Sequence, residues 1–207
     1  MLKTLGLSLL FFTSIFAAAQ DAPKFEVFGG YSYANTSGTL TFHRVSMNGW
    51  NASVAANFNR WFGVVGDFGG HYGSPDTTIP VLPNPLPPCV FTPPFCLVPI
   101  TFVNSSIDIK AHTFLAGPQF SWRTTRFTLF AHELMGAEHL NAKPDFPTVF
   151  LPRVSRTPFA LALGGGMDVN LNSRLSWRLQ ADYLRTFDFR QRNFRASTGL
   201  VFKFGNK

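Results

Sequence analysis

From Lys24 to Phe204, large apolar residues recur at every second position over stretches of about ten residues, the period of a β-strand whose successive side chains face opposite ways. The cleanest stretch is Asn193 to Phe204. Phe194, Ala196, Thr198, Leu200, Phe202 and Phe204 fall on one face, and Arg195, Ser197, Gly199, Val201 and Lys203 on the other. The same alternation predicts seven further strands: Lys24 to Ala34, Gly49 to Phe58, Trp61 to Tyr72, Asp108 to Trp122, Phe127 to His139, Pro158 to Leu171 and Leu175 to Phe187. Each sets an oily face against a face of small or polar residues. Glu26, Asp67, Asp168, Arg178 and Asp182 all fall on the polar face. Two places break the pattern. Pro118 inside the fourth strand predicts a bulge, because proline cannot donate to a ladder. In the fifth strand either His132 or Glu133 takes the polar face, and the expectation is Glu133, since a carboxylate on the oily face is the dearer error.

The strands are long for a globular sheet, where roughly five or six residues are usual, and suit a tilted span of about nine to eleven residues through hydrocarbon. Their connections alternate. Short turns at Asn59-Arg60, Arg123 to Arg126 and Asn172-Ser173-Arg174 separate long loops, of which Gly73 to about Ile107 and Leu140 to Thr157 are the largest. Short turns on one rim and long loops on the other is the layout of an up-and-down membrane barrel. Aromatic residues follow the rims. Trp61, Trp122 and Trp177 lie beside the short turns, and Tyr31, Tyr33, Trp50, Tyr72 and Tyr183 lie toward the opposite rim, as two interfacial girdles would.

Composition decides which face meets lipid. Only 14% of residues are charged and 24 of the 207 are Phe, against roughly 25% charge in ordinary soluble domains. A soluble calyx has the same period with its faces exchanged, yet its exterior would carry Lys and Glu in place of the Gly, Ser, Asn and Ala found here. Those small residues fit the narrow interior of an eight-stranded barrel. Arg178 or Arg195 facing lipid at mid-depth would cost about 2–4 kcal/mol each. The oily face is therefore read as outward.

Before the first strand, Lys3, an apolar run from Leu5 to Phe16 and Ala17-Ala18-Ala19 make a secretory signal peptide over residues 1–20. The run is too short for a spanning helix. The uncharged stretch from Thr77 to Ile107 is no helix either, because nine prolines lie between Pro75 and Pro99. The formal charge of +7, or +6 without Lys3, comes from scattered Lys and Arg with no basic run, which excludes a nucleic-acid interface and suits acidic lipid headgroups.

Over residues 24 to 204 the sequence resembles the small outer-membrane β-barrel family, including the membrane domain of outer membrane protein A and its eight-stranded relatives. The resemblance is carried by the signal peptide, FEVFGGYSY opening the first strand, GPQFSWR closing the fourth and STGLVFKF at the end. It implies an all-β, eight-stranded antiparallel up-and-down transmembrane barrel in the bacterial outer membrane. It also implies contact with outer-membrane lipids and lipopolysaccharide, and insertion by the barrel insertion machinery. Members of the family usually finish on the aromatic residue, whereas Gly205-Asn206-Lys207 follow Phe204 here as a short tail.

The candidate chemistry is sparse. Glu26, Asp67, Glu133, Asp168 and Asp182 are expected to pair inside the lumen with Arg178, Arg195 and Lys203, since an unpaired buried charge costs several kcal/mol. Asp182 is the expected partner of Arg195, and Glu26 that of Lys203. His132, Glu133 and His139 with Ser155 could be forced into a hydrolase form, but no nucleophile-centred motif accompanies them. His43, His71, His112, His132 and His139 show no paired metal spacing. Cys89 and Cys96, bracketing VFTPPF in the proline-rich loop at residues 73–107, are expected to form a disulfide in an oxidising compartment. The sequence thus points to a non-catalytic barrel without cofactor or metal, its lumen plugged, acting as a structural or surface-interaction protein with a possible extracellular ligand at its loops. A small passive porin-like channel is the second reading, ahead of a lipid-modifying enzyme or a soluble calyx.

Overall fold

The computed structural model describes residues 22–36, 44–81, 101–145, 154–187 and 192–205. The predicted signal peptide, His43, Cys89, Cys96 and the last two residues of the tail lie outside the described residues. Ten strands follow one another: β1 (Phe25–Thr36), β2 (Val45–Asn57), β3 (Phe62–Gly73), β4 (Asp76–Val81), β5 (Thr101–Arg123), β6 (Phe127–Asp145), β7 (Val154–Arg156), β8 (Phe159–Asn170), β9 (Leu175–Thr186) and β10 (Arg192–Phe204). Eight of them, β1, β2, β3, β5, β6, β8, β9 and β10, pair antiparallel in chain order, and β10 returns to β1 from Phe25↔Phe204 to Thr36↔Asn193. The sheet is a closed up-and-down barrel, and closure removes the edges an open sheet would expose.

The alternation seen in the sequence is the alternation of the wall. Along β9 every second residue from Ser176 to Thr186 is buried, while Trp177, Leu179, Ala181 and Tyr183 are exposed. On β10, Phe194, Phe202 and Phe204 are about half exposed at 50–53%, whereas Arg195 is 2% exposed. Large apolar side chains therefore cover the outside, as lipid contact requires.

The three short turns share a local cause. Asn59 Oδ1 accepts from the backbone N–H groups of Trp61 and Phe62 at 2.8 and 2.7 Å, and Asn172 Oδ1 does the same for Arg174 and Leu175 at 2.8 and 2.7 Å. Thr124 Oγ1 accepts from Phe127 N–H at 3.1 Å. Each side chain satisfies donors that a chain reversal leaves without a ladder partner.

The structure corrects the sequence reading in three places. The segment from Gly73 to Ile107 is not loop throughout. Gly73 pairs with Ile109 and Asp76 with Ser106, three residues further along each strand, so β4 carries the register of β3 onward against β5 as an arm beyond the barrel. β6 likewise continues to Asp145 and takes β7 on its far side. No bulge forms at Pro118. The β5–β6 ladder runs to Ala116↔Met135 and resumes at Gln119↔His132, again three residues on each strand, so it is interrupted without an extra residue. The β3 side stays continuous through Val64↔Pro118, which places the missing proline donor on the β6 side. Finally, Glu133 does not enter the lumen. Burial alternates without a break from Phe127 to Met135, His132 is buried and Glu133 is exposed on the outer face.

Candidate functional site

The lumen holds the chain's concentrated chemistry, stacked in layers from the short-turn rim upward. Lowest is a cluster around Arg178. Its Nε and Nη2 donate to the two oxygens of Asp168 at 2.6 and 2.8 Å, a bidentate arrangement that suits the planar guanidinium. The same group lies over the rings of Phe130 and Phe28, at 4.3 and 5.3 Å from their centroids. Glu26 sits beside it, accepting from Arg123 Nη1 at 2.9 Å and lying 3.9 Å from Arg178 Nη2.

The middle layer is built on Arg195. Its Nε donates to Asp182 Oδ2 at 2.8 Å, and its Nη1 reaches across the lumen to Asp67 Oδ1 at 2.7 Å. Asp182 Oδ1 lies 2.8 Å from His132 Nε2, and its Oδ2 also accepts from Gln180 at 2.9 Å. Asn51 donates to Asp67 at 2.9 Å. Five strands, β2, β3, β6, β9 and β10, are thereby tied together through one cation.

Above this, Ser32 Oγ lies 2.9 Å from both His71 Nε2 and Ser197 Oγ, with Thr113 and Glu138 buried nearby on adjacent, paired positions of β5 and β6. A Cβ on Gly69 would meet Thr113 Oγ1 and crowd Arg195 Nη1, so the glycine makes room for the cross-lumen reach of Arg195. Two apolar clusters are buried as well. Ala55, Val65, Leu115, Leu134, Ala160, Ala162 and Leu184 pack on one side of the interior. Ala34, Val45, Met47 and Ala111, with Ile109 and Leu140 packed against them, form the other cluster, toward the long-loop end.

Measured against the sequence-derived candidates, Glu26, Asp67, Asp168, Arg178, Asp182 and Arg195 converge in the lumen, and Arg195 meets Asp182. Lys203 stands opposite Glu26 in the β1–β10 register, yet its Nζ donates to Asn170 Oδ1 at 2.6 Å. Glu133 faces the other way, as described above. That single misplacement hid Glu138, which shares the inward parity of His132 and is 5% exposed. Arg123, read as the start of a turn, is buried because it extends the inward series of Gln119 and Ser121. Phe28 and Phe130 were also missed, since a rule of small residues inside a narrow barrel overlooks aromatic faces used to flank a cation.

The hydrolase constellation does not assemble. His132 and Glu133 point to opposite faces of β6, and His139 Nδ1 lies 2.8 Å from Thr157 Oγ1, while Ser155 on β7 pairs with Asn141 of β6. Among the described residues no group of His, Cys, Asp or Glu could hold a metal ion. The girdle residues Tyr31, Trp50, Trp61, Tyr72, Trp122, Trp177 and Tyr183 are all exposed on the outer wall. Tyr31 donates to Asn48 Oδ1 at 2.5 Å, and the Tyr33 hydroxyl lies 2.8 Å from Ser46 Oγ.

Residues 5–204 match the family model described as the outer membrane protein beta-barrel domain. No curated protein matches the chain. Among solved structures, the chain is similar to Ail, the attachment invasion locus protein of Yersinia pestis, crystallised with the heparin analogue sucrose octasulfate. Identity is 20%, 87% of this chain and 97% of Ail are covered, and the TM-score is 0.55. Neisserial surface protein A shows 12% identity over 87% of this chain and 97% of its own, with a TM-score of 0.57. The outer membrane protein OprG of Pseudomonas aeruginosa shows 13% identity over 90% and 98%, with a TM-score of 0.55. At these identities the likeness is one of fold. The family match covers nearly the whole chain, so the chain belongs to the outer membrane protein β-barrel family, and it resides in the bacterial outer membrane.

Proposed function

We propose that this outer-membrane barrel is a non-conducting, non-catalytic structural and surface-interaction protein, with its lumen plugged and its recognition carried by the parts that project from the long-loop rim. The observation that carries the plug is Arg195. It is 2% exposed and holds Asp67 and Asp182 from opposite walls, so a continuous water path through that layer would have to part ion pairs of 2.7 Å. The apolar cluster around Met47, toward the long-loop end, supports the same reading. Recording from planar bilayers containing the purified barrel should show no large, steady openings. Steady channels would overturn the plug and restore the passive-channel reading.

The extracellular side is where the β4–β5 arm and the upper parts of β6 and β7 lie, together with the exposed cations Arg44, Lys110, Lys143, Arg156 and Arg185. Such a surface favours an anionic extracellular ligand and the phosphates of lipopolysaccharide. The solved complex of Ail with a sulfated heparin analogue supports the same direction by fold analogy. Titrating sucrose octasulfate onto the barrel in detergent tests it, and binding that vanishes in high salt is the expected result. Export by residues 1–20 and insertion through the strand ending at Phe204 complete the proposal.

A further inference from the structure

The outward series of β6 reads Phe127, Leu129, Ala131, Glu133, Met135 and Ala137 before His139 returns to polarity. Glu133 therefore stands in the middle of the lipid-facing belt. Opposite it lies Pro118, midway between the outward Phe114 and Trp122 of β5, and on the other side it pairs with Leu163 of β8. An ionisable residue facing hydrocarbon is a functional site by default. Half of its outward neighbours are small. Ala116, Pro118, Ala131 and Gly165 are small and lie beside Glu133, while Leu163, Met135 and Phe120 stand higher around it, so the wall has a recess at the carboxyl flanked by apolar knobs. The backbone there is also exceptional, because the β5–β6 ladder skips the Gly117–Leu134 and Pro118–Glu133 positions.

A carboxyl at mid-belt needs a hydrogen-bonding partner at the same depth. Acyl chains offer none, and headgroup amines lie at the rims. Among the described residues the barrel has no outward cation in the belt, since Lys110 is level with Tyr72 and Arg185 lies beyond Tyr183. A second copy meets the requirement by symmetry. When two barrels stand side by side about an axis along the membrane normal, equivalent residues share one depth, and a carboxyl can both donate to and accept from its equivalent.

We propose that the β5–β6–β8 wall is a self-association surface within the membrane, with Glu133 of each copy hydrogen-bonded to Glu133 of the other across a two-fold axis. The test is energy transfer between donor- and acceptor-labelled full-length barrels in phosphatidylcholine vesicles over a range of protein-to-lipid ratios, with folding checked by heat-modifiable migration. Wild-type protein should associate reversibly. Glu133→Gln, whose amide also donates and accepts, should keep most of that association. Glu133→Leu should weaken it by about 3- to 30-fold, the range of membrane hydrogen bonds, while Leu179→Ala on the opposite wall should leave it unchanged. Three results would each overturn the proposal: a wild-type barrel that stays monomeric at every ratio, a Glu133→Leu barrel that associates as well as wild type, or equal loss in the Gln and Leu variants. Crosslinking of this wall in whole cells solely to a different membrane protein would do the same.

Discussion

His132 and Glu133 are consecutive on β6, so the pleat sends one into the lumen and the other into the lipid belt. Inside, His132 is 4% exposed and sits 2.8 Å from Asp182, itself held by Arg195 and Gln180. Outside, Glu133 faces Pro118 and Leu163 with an interrupted ladder beside it. Both are ionisable groups removed from bulk water. The difference lies in neighbours. The lumen gives His132 a carboxylate that is itself held by groups from other strands, whereas the described outer belt of a lone barrel offers the Glu133 carboxyl no such group.

The sharpest way to break this contrast is to make the lumen resemble the belt. Arg195→Ala leaves Asp67 and Asp182 buried without their shared cation, and should destabilise the barrel by about 3–5 kcal/mol. Urea unfolding of vesicle-inserted protein, followed by tryptophan emission, measures this. A loss below about 1 kcal/mol would mean that water reaches the layer and solvates the carboxylates, which would also undermine the plug. His132→Leu is milder. Asp182 keeps Arg195 and Gln180, so only one charge-assisted hydrogen bond is lost, worth about 1.5–3 kcal/mol in the same assay.

The same pair of residues shows how much was legible in the sequence. Strand number, inward and outward faces, turn positions and girdles follow from a period of two, a signal that membrane strands carry with little noise because lipid and lumen demand opposite chemistry. Above the membrane that demand lapses. Thr101 to Lys110 keeps a faint alternation in Val103, Ile107 and Ile109, but the proline-rich stretch before it masks that signal, so the sequence predicts loop where β4 and the upper part of β5 stand. At the site, Arg178, Arg195 and their carboxylates were readable as inward charges, yet pairing across the barrel was not. Arg195 and Asp67 are 128 residues apart, and only the closed geometry brings them together. The choice at His132 and Glu133 failed for a physical reason. Priced alone, a lipid-facing carboxylate is the costlier placement. Taken with its neighbour, turning Glu133 inward removes His132 from its contact with Asp182 and requires a bulge.

Two smaller changes approach the contrast from the belt. Glu133→Leu removes the exposed carboxyl without touching the lumen. At high lipid dilution, where copies are apart, it should stabilise the barrel by roughly 1–2 kcal/mol, somewhat less than the cost of a lysine or arginine at the same depth. The sign is the informative part. A destabilised variant would show that Glu133 already has a partner within its own barrel.

Pro118→Ala probes the backbone next to that carboxyl. The β5–β6 register is identical on either side of the gap, so restoring an N–H at residue 118 needs no shift of either strand to complete the ladder. Gly117 must stay as it is, because a Cβ there would overlap the Glu133 carbonyl oxygen. One regained backbone hydrogen bond should add about 0.5–1.5 kcal/mol, and amide exchange at Glu133, whose N–H faces residue 118, should slow accordingly. Since the side chain at 118 stays outward and small, the Glu133 surface itself is preserved. Closing the ladder therefore separates two contributions to this wall: if self-association is unchanged in Pro118→Ala while Glu133→Leu weakens it, the carboxyl and not the opened backbone is what a second barrel recognises.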